Sequence, residues 1–147
     1  MLSAFNDDGN LPPGVHKATW REFVARFGTT RRRRELLRGL KQALNSLWVA
    51  GCRTVYIDGS FVTAKRAPGD FDACWDLNGV DPELLDPVLL TFDSGRATQK
   101  AKYRGELFPA QMREGGSGQT YLEFFQIDRE TGDPKGIVAI DLRRWKP

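Results

Sequence analysis

The sequence is poor in the residues that build histidine or cysteine sites. Its 147 residues include one histidine, His16, and two cysteines, Cys52 and Cys74. A single histidine cannot form the histidine cluster of a zinc site, and the cysteines match no C-x-x-C metal or redox pattern. Both cysteines lie in apolar stretches, so we expect them to be small buried hydrophobic residues in a reducing compartment.

Long apolar runs and a strong charge of one sign are also lacking. No run approaches the roughly 20 residues that a membrane helix needs. The first residues, MLSAFNDDGN, lack the basic and apolar regions of a secretion signal. We therefore expect a cytoplasmic protein with no membrane partner. The 22 basic residues exceed the 19 acidic ones only slightly, which permits a polyanionic partner without requiring one.

The length and the 40% hydrophobic content suit a single domain over residues 1–147. An extended N-terminal arm is expected over residues 1–18, where Phe5, Leu11 and Val15 could attach it to the body. Helical periodicity and caps predict helices over residues 19–27, 31–50 and 82–92. Runs of β-forming residues predict strands over residues 53–58, 71–77, 103–108 and 136–142. Residues 121–127 fit either state, and the whole pattern predicts an α/β domain.

Two aspartates open the second of these strands, in the segment GDFD. Side chains alternate faces along a strand, so Asp70 and Asp72 point the same way and Phe71 points to the other face. Two neighbouring carboxylates repel each other unless one is protonated or a cation lies between them. Oxygen ligands suit Mg²⁺, which is commonly shared with substrate phosphates. A solvated surface turn after Pro68 is the alternative.

A Gly-Ser pair ends the preceding strand. Gly59 allows the backbone to approach a ligand closely, and Ser60 with the free N–H groups of a turn could hold a phosphate. Lys65 and Arg66 follow on the linking segment, where they could neutralise phosphate charge or form a solvated basic pair. Together with Asp70 and Asp72, these residues predict a site for a metal–triphosphate.

These residues resemble the signature of the nucleotidyltransferase superfamily that includes DNA polymerase beta and kanamycin nucleotidyltransferase. That signature is an apolar residue, Gly, then Gly or Ser, a spacer, and acid–apolar–acid. The longer run YIDGSFVTAKRAPGDFD is similar to a small group of bacterial and phage-associated nucleotidyltransferase-like proteins. The LPPGVH arm and the DPKGIVAIDL end also resemble that group. The resemblance implies a minimal nucleotidyltransferase fold, a mixed β-sheet flanked by helices.

The resemblance also implies a catalytic site. Two Mg²⁺ ions would bridge Asp70, Asp72 and the phosphates of a nucleoside triphosphate. An acceptor hydroxyl would attack the α-phosphate, and pyrophosphate would leave. The family needs a third acid on a neighbouring strand. Glu106 is the first choice, with Glu123 and Asp141 as alternatives.

Many members of the superfamily carry a separate helical domain that binds the acceptor, for which this chain offers only its two N-terminal helices and its C-terminal strand region. The resemblance therefore further implies either a macromolecular acceptor that brings its own shape or a partner chain that completes the cleft. Small members of this kind occur in toxin–antitoxin or phage-defence pairs, so a protein or a transfer RNA is the expected acceptor and a cognate toxin or antitoxin chain the expected partner. The alternative is a non-catalytic antitoxin or regulator that binds a nucleotide or a partner.

Four consecutive arginines, residues 31–34, open the second helix. Positive charge there opposes the helix dipole, which suggests a use beyond folding. The run predicts either a solvated face or contact with nucleic acid. Lys135 belongs to the turn before the last strand, and we interpret it as a residue of that turn with no further role.

Overall fold

A mixed β-sheet forms the centre of the fold. The structure is a computed structural model and describes residues 2–145. The strands are β1 (Gly14–Ala18), β2 (Thr54–Asp58), β3 (Phe71–Trp75), β4 (Gly105–Pro109) and β5 (Gly136–Asp141). They lie in the order β1-β5-β2-β3-β4. β1 is parallel to β5 and β3 to β4, whereas β2 is antiparallel to β5 and β3.

Two helices lie between β1 and β2 in the chain, and the bounds of both are close to those predicted from the sequence. In α1 (Trp20–Phe27), the side chains of Thr19 and Glu22 form a capping box with each other's backbone. In α2 (Arg31–Val49), the Thr30 hydroxyl accepts from the Arg33 N–H. Shorter helices follow as α3 (Ala97–Tyr103) and α4 (Tyr121–Phe124). The α/β class, with helices flanking a mixed sheet, is therefore confirmed.

The sheet has one apolar core on each face. The alternation of strand residues sends one set toward α1 and α2 and the other set to the opposite face. The larger core joins the leucines of α2 to strand residues that include Val55, Ala73, Val138 and Leu107. The smaller core contains Cys74, Phe108, Phe125 and Ile137. Both cysteines are buried and unpaired, as expected.

The helix predicted over residues 82–92 is wrong. Pro87 lies inside this segment, and proline has no N–H to donate and disfavours a helical residue before it. Asp86 is extended there and caps a short 3-10 turn over Pro87–Leu90. A helix does follow this segment, α3 (Ala97–Tyr103), but it was not predicted from the sequence. Residues 121–127 contain the short α4 rather than a strand.

The N-terminal arm is attached to the sheet more closely than predicted, since its last residues form the edge strand β1. Leu11 is fully buried and Phe5 packs against the larger core, whereas Val15 is 43% exposed. Trp48, near the C-terminal end of α2, is 42% exposed. Within residues 2–145, none of the helices combines the length and the apolar character needed to cross a bilayer.

Candidate metal and nucleotide site

Three acidic side chains form a row across neighbouring strands. Asp58 of β2 is the register partner of Asp72 in β3, and Asp72 is the register partner of Glu106 in β4. Directly opposed residues project from the same face of a sheet, with Cβ atoms about 5 Å apart. The three carboxyl groups therefore meet on the face that carries Cys74 and Phe108 in its smaller core.

Asp70 joins this row from the residue before β3. It lies two residues before Asp72, which gives it the same facing, and its side chain is one-third exposed. Burial and the charge of the nearby Glu106 raise the pKa of Asp70. The structure thus brings together Asp70, Asp72 and Glu106, the three residues predicted to ligate a metal.

Repulsion within the row is strongest at Asp72. Burial and, after it, the neighbouring charges of Asp70, Asp58 and Glu106 together raise the pKa of Asp72 to about 8. Burial also raises the pKa of Asp70 and the pKa of Asp58 above their ordinary value. In the protein without bound ions, Asp72 therefore holds a proton near neutral pH.

Basic side chains partly compensate the outer acids. Lys100 Nζ lies 3.2 Å from Glu106 Oε1 and 3.8 Å from Asp70 Oδ2, and Arg96 Nε lies 3.3 Å from Glu106 Oε1. On the other side, Lys135 Nζ lies 3.2 Å from Asp58 Oδ1 in an ion pair without hydrogen-bond geometry. No basic side chain within residues 2–145 forms an ion pair with Asp72, at the centre of the row.

The Gly59–Ser60 turn adjoins Asp72. Gly59 has φ +78°, and a Cβ atom at this position would lie 2.2 Å from Asp72 Oδ2. Glycine is therefore required both by the backbone conformation and by the close approach of the carboxyl group. Ser60 opens the 3-10 turn Ser60–Val62, whose first N–H groups have no partner within such a turn.

Arg33 holds the segment that follows this turn. Its guanidinium is buried and donates to the carbonyl oxygens of Phe61 at 2.5 Å, Thr63 at 2.8 Å and Lys65. Arg32 donates to the carbonyls of Pro68 and Gly69, just before Asp70. Two of the four arginines in the 31–34 run thus position the loop between Ser60 and Asp70. This use of the run was not anticipated from the sequence.

A cavity of about 430 Å³ opens over one side of the row. Its floor contains Asp58, Gly59, Ser60 and Asp72, and one wall is the segment 128–131. The N-terminal arm forms another wall, where the Asn10 side-chain amide donates to Asp128 Oδ2 at 3.1 Å. The cavity is lined by more acidic than basic residues, so an anionic ligand there would need accompanying cations.

The remaining predicted site residues lie outside this cavity. Lys65 and Arg66 are exposed on the loop, and neither lines the cavity, so their contact with phosphate stays a prediction. Glu123 belongs to the capping box of α4. Asp141 pairs in register with Thr54, at the end of β2 opposite to Asp58, and binds Arg143. Among the three candidates for the third acid, Glu106 is the one beside Asp70 and Asp72.

Asp58 and Lys135 are site residues that the sequence reading missed. Asp58 directly precedes Gly59, and a period of two along β2 places it on the face of Tyr56, but only the strand register brings it to Asp72. Lys135 directly precedes β5, the other neighbour of β2, and its side chain is 17% exposed. The position of each residue at the end of a predicted strand was the available signal.

The donor set fits a divalent cation, although no ready-made cluster of three metal-binding side chains exists within residues 2–145. Lys100 lies between Asp70 and Glu106 and takes the place that a cation between those carboxylates would take. The raised pKa of Asp72 is a second indication of a cation site. Repulsion by the neighbouring acids causes part of this rise, and a nearby Mg²⁺ would relieve that repulsion.

Comparison with known proteins gives a family but no function. No curated protein and no solved structure matches the chain. A family model described as a family of unknown function matches residues 3–141. This match extends from the N-terminal arm to the end of β5 and includes every residue of the acidic row, so the chain belongs to this family, DUF6932.

Proposed function

We propose that the protein is a Mg²⁺-dependent nucleotidyltransferase that moves a nucleoside monophosphate from a triphosphate to a hydroxyl of a protein or an RNA. One observation carries this proposal: Asp70, Asp72 and Glu106 share one sheet face beside the Gly59–Ser60 turn. This chemistry requires acidic side chains that can hold a metal next to a glycine turn, and the resemblance of the motif supports the proposal.

The acid row would hold the metal. Asp72 lies centrally, and Asp70 and Glu106 could each turn from Lys100 toward a shared ion. When bound, Mg²⁺ would stabilise both the attacking and the leaving oxygen of an in-line displacement. With the ion present, Asp72 would lose its proton near neutral pH, because an opposite charge lowers the pKa of a carboxyl group.

The chain's own residues would bind and orient the substrate. The N–H groups at Ser60 would donate to phosphate oxygens, and Lys135 would attract the phosphate chain into the acidic cavity. A bond forms between the acceptor oxygen and the α-phosphorus while the bond to pyrophosphate breaks. The hydroxyl proton passes to a carboxylate of the row.

The second candidate function is a non-catalytic regulator or antitoxin of the same fold. The position of Lys100 favours it, because an ammonium group already compensates two of the three candidate ligands. Such a protein would bind a nucleotide or a cognate partner chain, as in a toxin–antitoxin or phage-defence pair, without transferring a group.

Transfer of label tests the proposal directly. The protein is incubated with Mg²⁺, each α-labelled nucleoside triphosphate, and cell lysate. We expect label on a protein or RNA band with the wild type and with Asp141→Asn, which removes a carboxylate far from the row. We expect none with Asp72→Asn. Calorimetry with Mg²⁺ and the nucleotide then separates the two functions: binding without transfer supports the regulator, and absence of binding rejects both.

A further inference from the structure

We propose that a second cleft, on the Asp70 side of the acid row, binds the phosphodiester backbone of a single-stranded nucleic acid. This cleft has a volume of about 420 Å³ and is lined by Arg32, Gly69, Asp70, Lys100 and Arg104. None of the residues that line the cavity over Gly59 and Ser60 lines this cleft. The two openings therefore flank the acid row from different sides.

The charges of the cleft fit an anion. Three of its five lining residues are basic and one is acidic. Arg32 and Lys100 are engaged with carbonyls or carboxylates, but each side chain keeps 42% of its surface exposed. Arg104 is exposed, and its side chain forms no ion pair or hydrogen bond within residues 2–145. An incoming phosphate would meet an uncompensated guanidinium there.

The backbone at Arg104 adopts a conformation that arginine does not favour. Arg104 ends α3 with φ +66°, and Arg96 precedes α3 with φ +52°. They are the two non-glycine residues with positive φ within residues 2–145. This conformation favours glycine or asparagine at a helix end. Retaining arginine at both ends of α3 points to a use of the side chains.

An aromatic surface next to Glu106 favours a single-stranded nucleic acid over an acidic peptide. Phe92 stacks on Phe108 with ring centroids 5.6 Å apart, and Phe108 stacks on Tyr121 at 4.1 Å. Arg96 lies over the Phe108 ring, and Phe92 is 37% exposed. Cations that follow a backbone beside rings that can stack on bases are the usual features of single-strand binding sites.

Binding itself is independent of the proposed function, and only the role of the bound strand as the acceptor rests on it. The test therefore omits Mg²⁺ and nucleotide. Fluorescence anisotropy follows a labelled single-stranded RNA of about 12 nucleotides, at NaCl concentrations from about 50 to 200 mM. The variants are Arg104→Gln, Phe92→Leu and the control Lys17→Gln, which removes one charge from β1 at the opposite edge of the sheet.

Arg104→Gln is expected to weaken RNA binding about fivefold and to reduce the slope of log K against log [NaCl] by about 0.7, the value for one phosphate contact to a single strand. Phe92→Leu is expected to weaken binding about tenfold without changing the slope. Lys17→Gln should change neither. Arg104→Gly removes the same charge in a conformation that glycine prefers, so it should weaken binding as Arg104→Gln does, in a well-folded protein.

Several results would overturn the inference. These are no RNA binding at low salt, equal weakening by Lys17→Gln and Arg104→Gln, or binding of sodium tripolyphosphate but not of RNA, which would indicate a site for free phosphate. Binding of an acidic peptide with the same dependence on Arg104, and none of RNA, would assign the cleft to a protein partner. RNA binding that depends on Arg104, in a protein that transfers no label, would support the cleft and reject the proposed function.

Discussion

The carboxyl group of Asp72 has three acidic neighbours. Asp58 and Glu106 lie opposite it on the adjacent strands, and Asp70 lies two residues earlier in the chain. Lys135 compensates Asp58, and Lys100 compensates Glu106 and Asp70, so among residues 2–145 no cation pairs with the central acid. A protonated Asp72 is the state that this environment favours at neutral pH. Ionising Asp72 in the folded protein costs free energy, and this cost lowers the free energy of unfolding.

We expect the stability of the metal-free protein to fall as pH rises from about 4 to about 8. The pKa of Asp72 is about 8 in the folded protein and near 3.8 when unfolded. Within this window the folded state binds one proton more than the unfolded state, so increasing pH favours unfolding. Asp72→Asn should flatten this decrease and raise Tm at pH 8. Thermal unfolding of the wild type and of Asp72→Asn between pH 4 and pH 8 measures this pH dependence.

Asp141→Asn is the control for that measurement. Hydrogen bonding to Arg143 lowers the pKa of Asp141, so this carboxylate stabilises the folded protein above pH 4, and the variant should lose a small and constant contribution there without changing the decrease between pH 4 and pH 8. Mg²⁺ should raise Tm of the wild type at pH 8 and leave that of Asp72→Asn nearly unchanged. Equal pH dependence of the wild type and Asp72→Asn would show that Asp72 is not protonated in the folded state.

At the scale of elements, the first turn of α2 positions the loop between β2 and β3. Arg33 contacts carbonyls near the Ser60 end of this loop, and Arg32 contacts carbonyls near the Asp70 end. Burial lowers the pKa of the Arg33 guanidinium, which nonetheless remains charged because its reference value is so high. One helix thus sets the distance between the two halves of the site.

Arg33→Met should destabilise the protein by about 3 kcal/mol, because several buried or partly buried carbonyls would lose a charged donor. Arg34→Met, one residue along the same run, should have little effect, since Arg34 is exposed and its contact to the Gly28 carbonyl is long at 3.4 Å. Urea unfolding of both variants gives the comparison. A similar loss in the two would mean that net charge rather than the buried contacts matters.

The elements with a strong local pattern could be predicted from the sequence. Thr19 and Glu22 mark the start of α1, and the leucine periodicity of α2 is unambiguous. The pattern fails for α3, since its buried residues are Gln99 and Tyr103 rather than an apolar stripe. Gln99 is buried because its side chain bonds both the N–H and the carbonyl of Leu107, a partner that no local window reveals.

The part of the site that lies on one segment of the chain could be predicted from the sequence. The part that depends on how β2, β3 and β5 pair in the sheet could not. The facing of Asp70 and Asp72 follows from alternation along one strand. The contribution of Asp58 requires β2 to pair with β3 so that Asp58 opposes Asp72, and a shift of one residue would send it to the other face. Lys135 reaches Asp58 because β5 lies next to β2, which the order of strands in the sequence does not indicate.

At the scale of the whole molecule, the N-terminal arm connects three separate parts of the site region. The Gly9 carbonyl accepts from the Ala64 N–H at 2.9 Å, Asn10 contacts Asp128, and the Leu11 carbonyl accepts from the Gly136 N–H at 3.1 Å. Leu11 itself is fully buried in the larger core. The arm is therefore part of the folded domain and of the cavity wall.

Leu11→Ala should lower the free energy of unfolding by about 3 kcal/mol, the usual cost of removing a fully buried leucine side chain. Val15→Ala, in the same arm, should cost far less because Val15 is largely exposed. Chemical denaturation of the two variants tests this. If both changes were equally mild, the arm would be a loosely held appendage and the cavity wall that it forms would not persist.

The two arginine contacts on the loop also limit where the chain can change in length. Arg33 fixes carbonyls up to Lys65, and Arg32 fixes those of Pro68 and Gly69, so the backbone near Ala67 lies between them. An inserted residue there would bulge into solvent and leave Ser60 and Asp70 in place. Insertions nearer either end would pull a carbonyl from its guanidinium, so relatives with longer spacers should carry the extra residues at this one point.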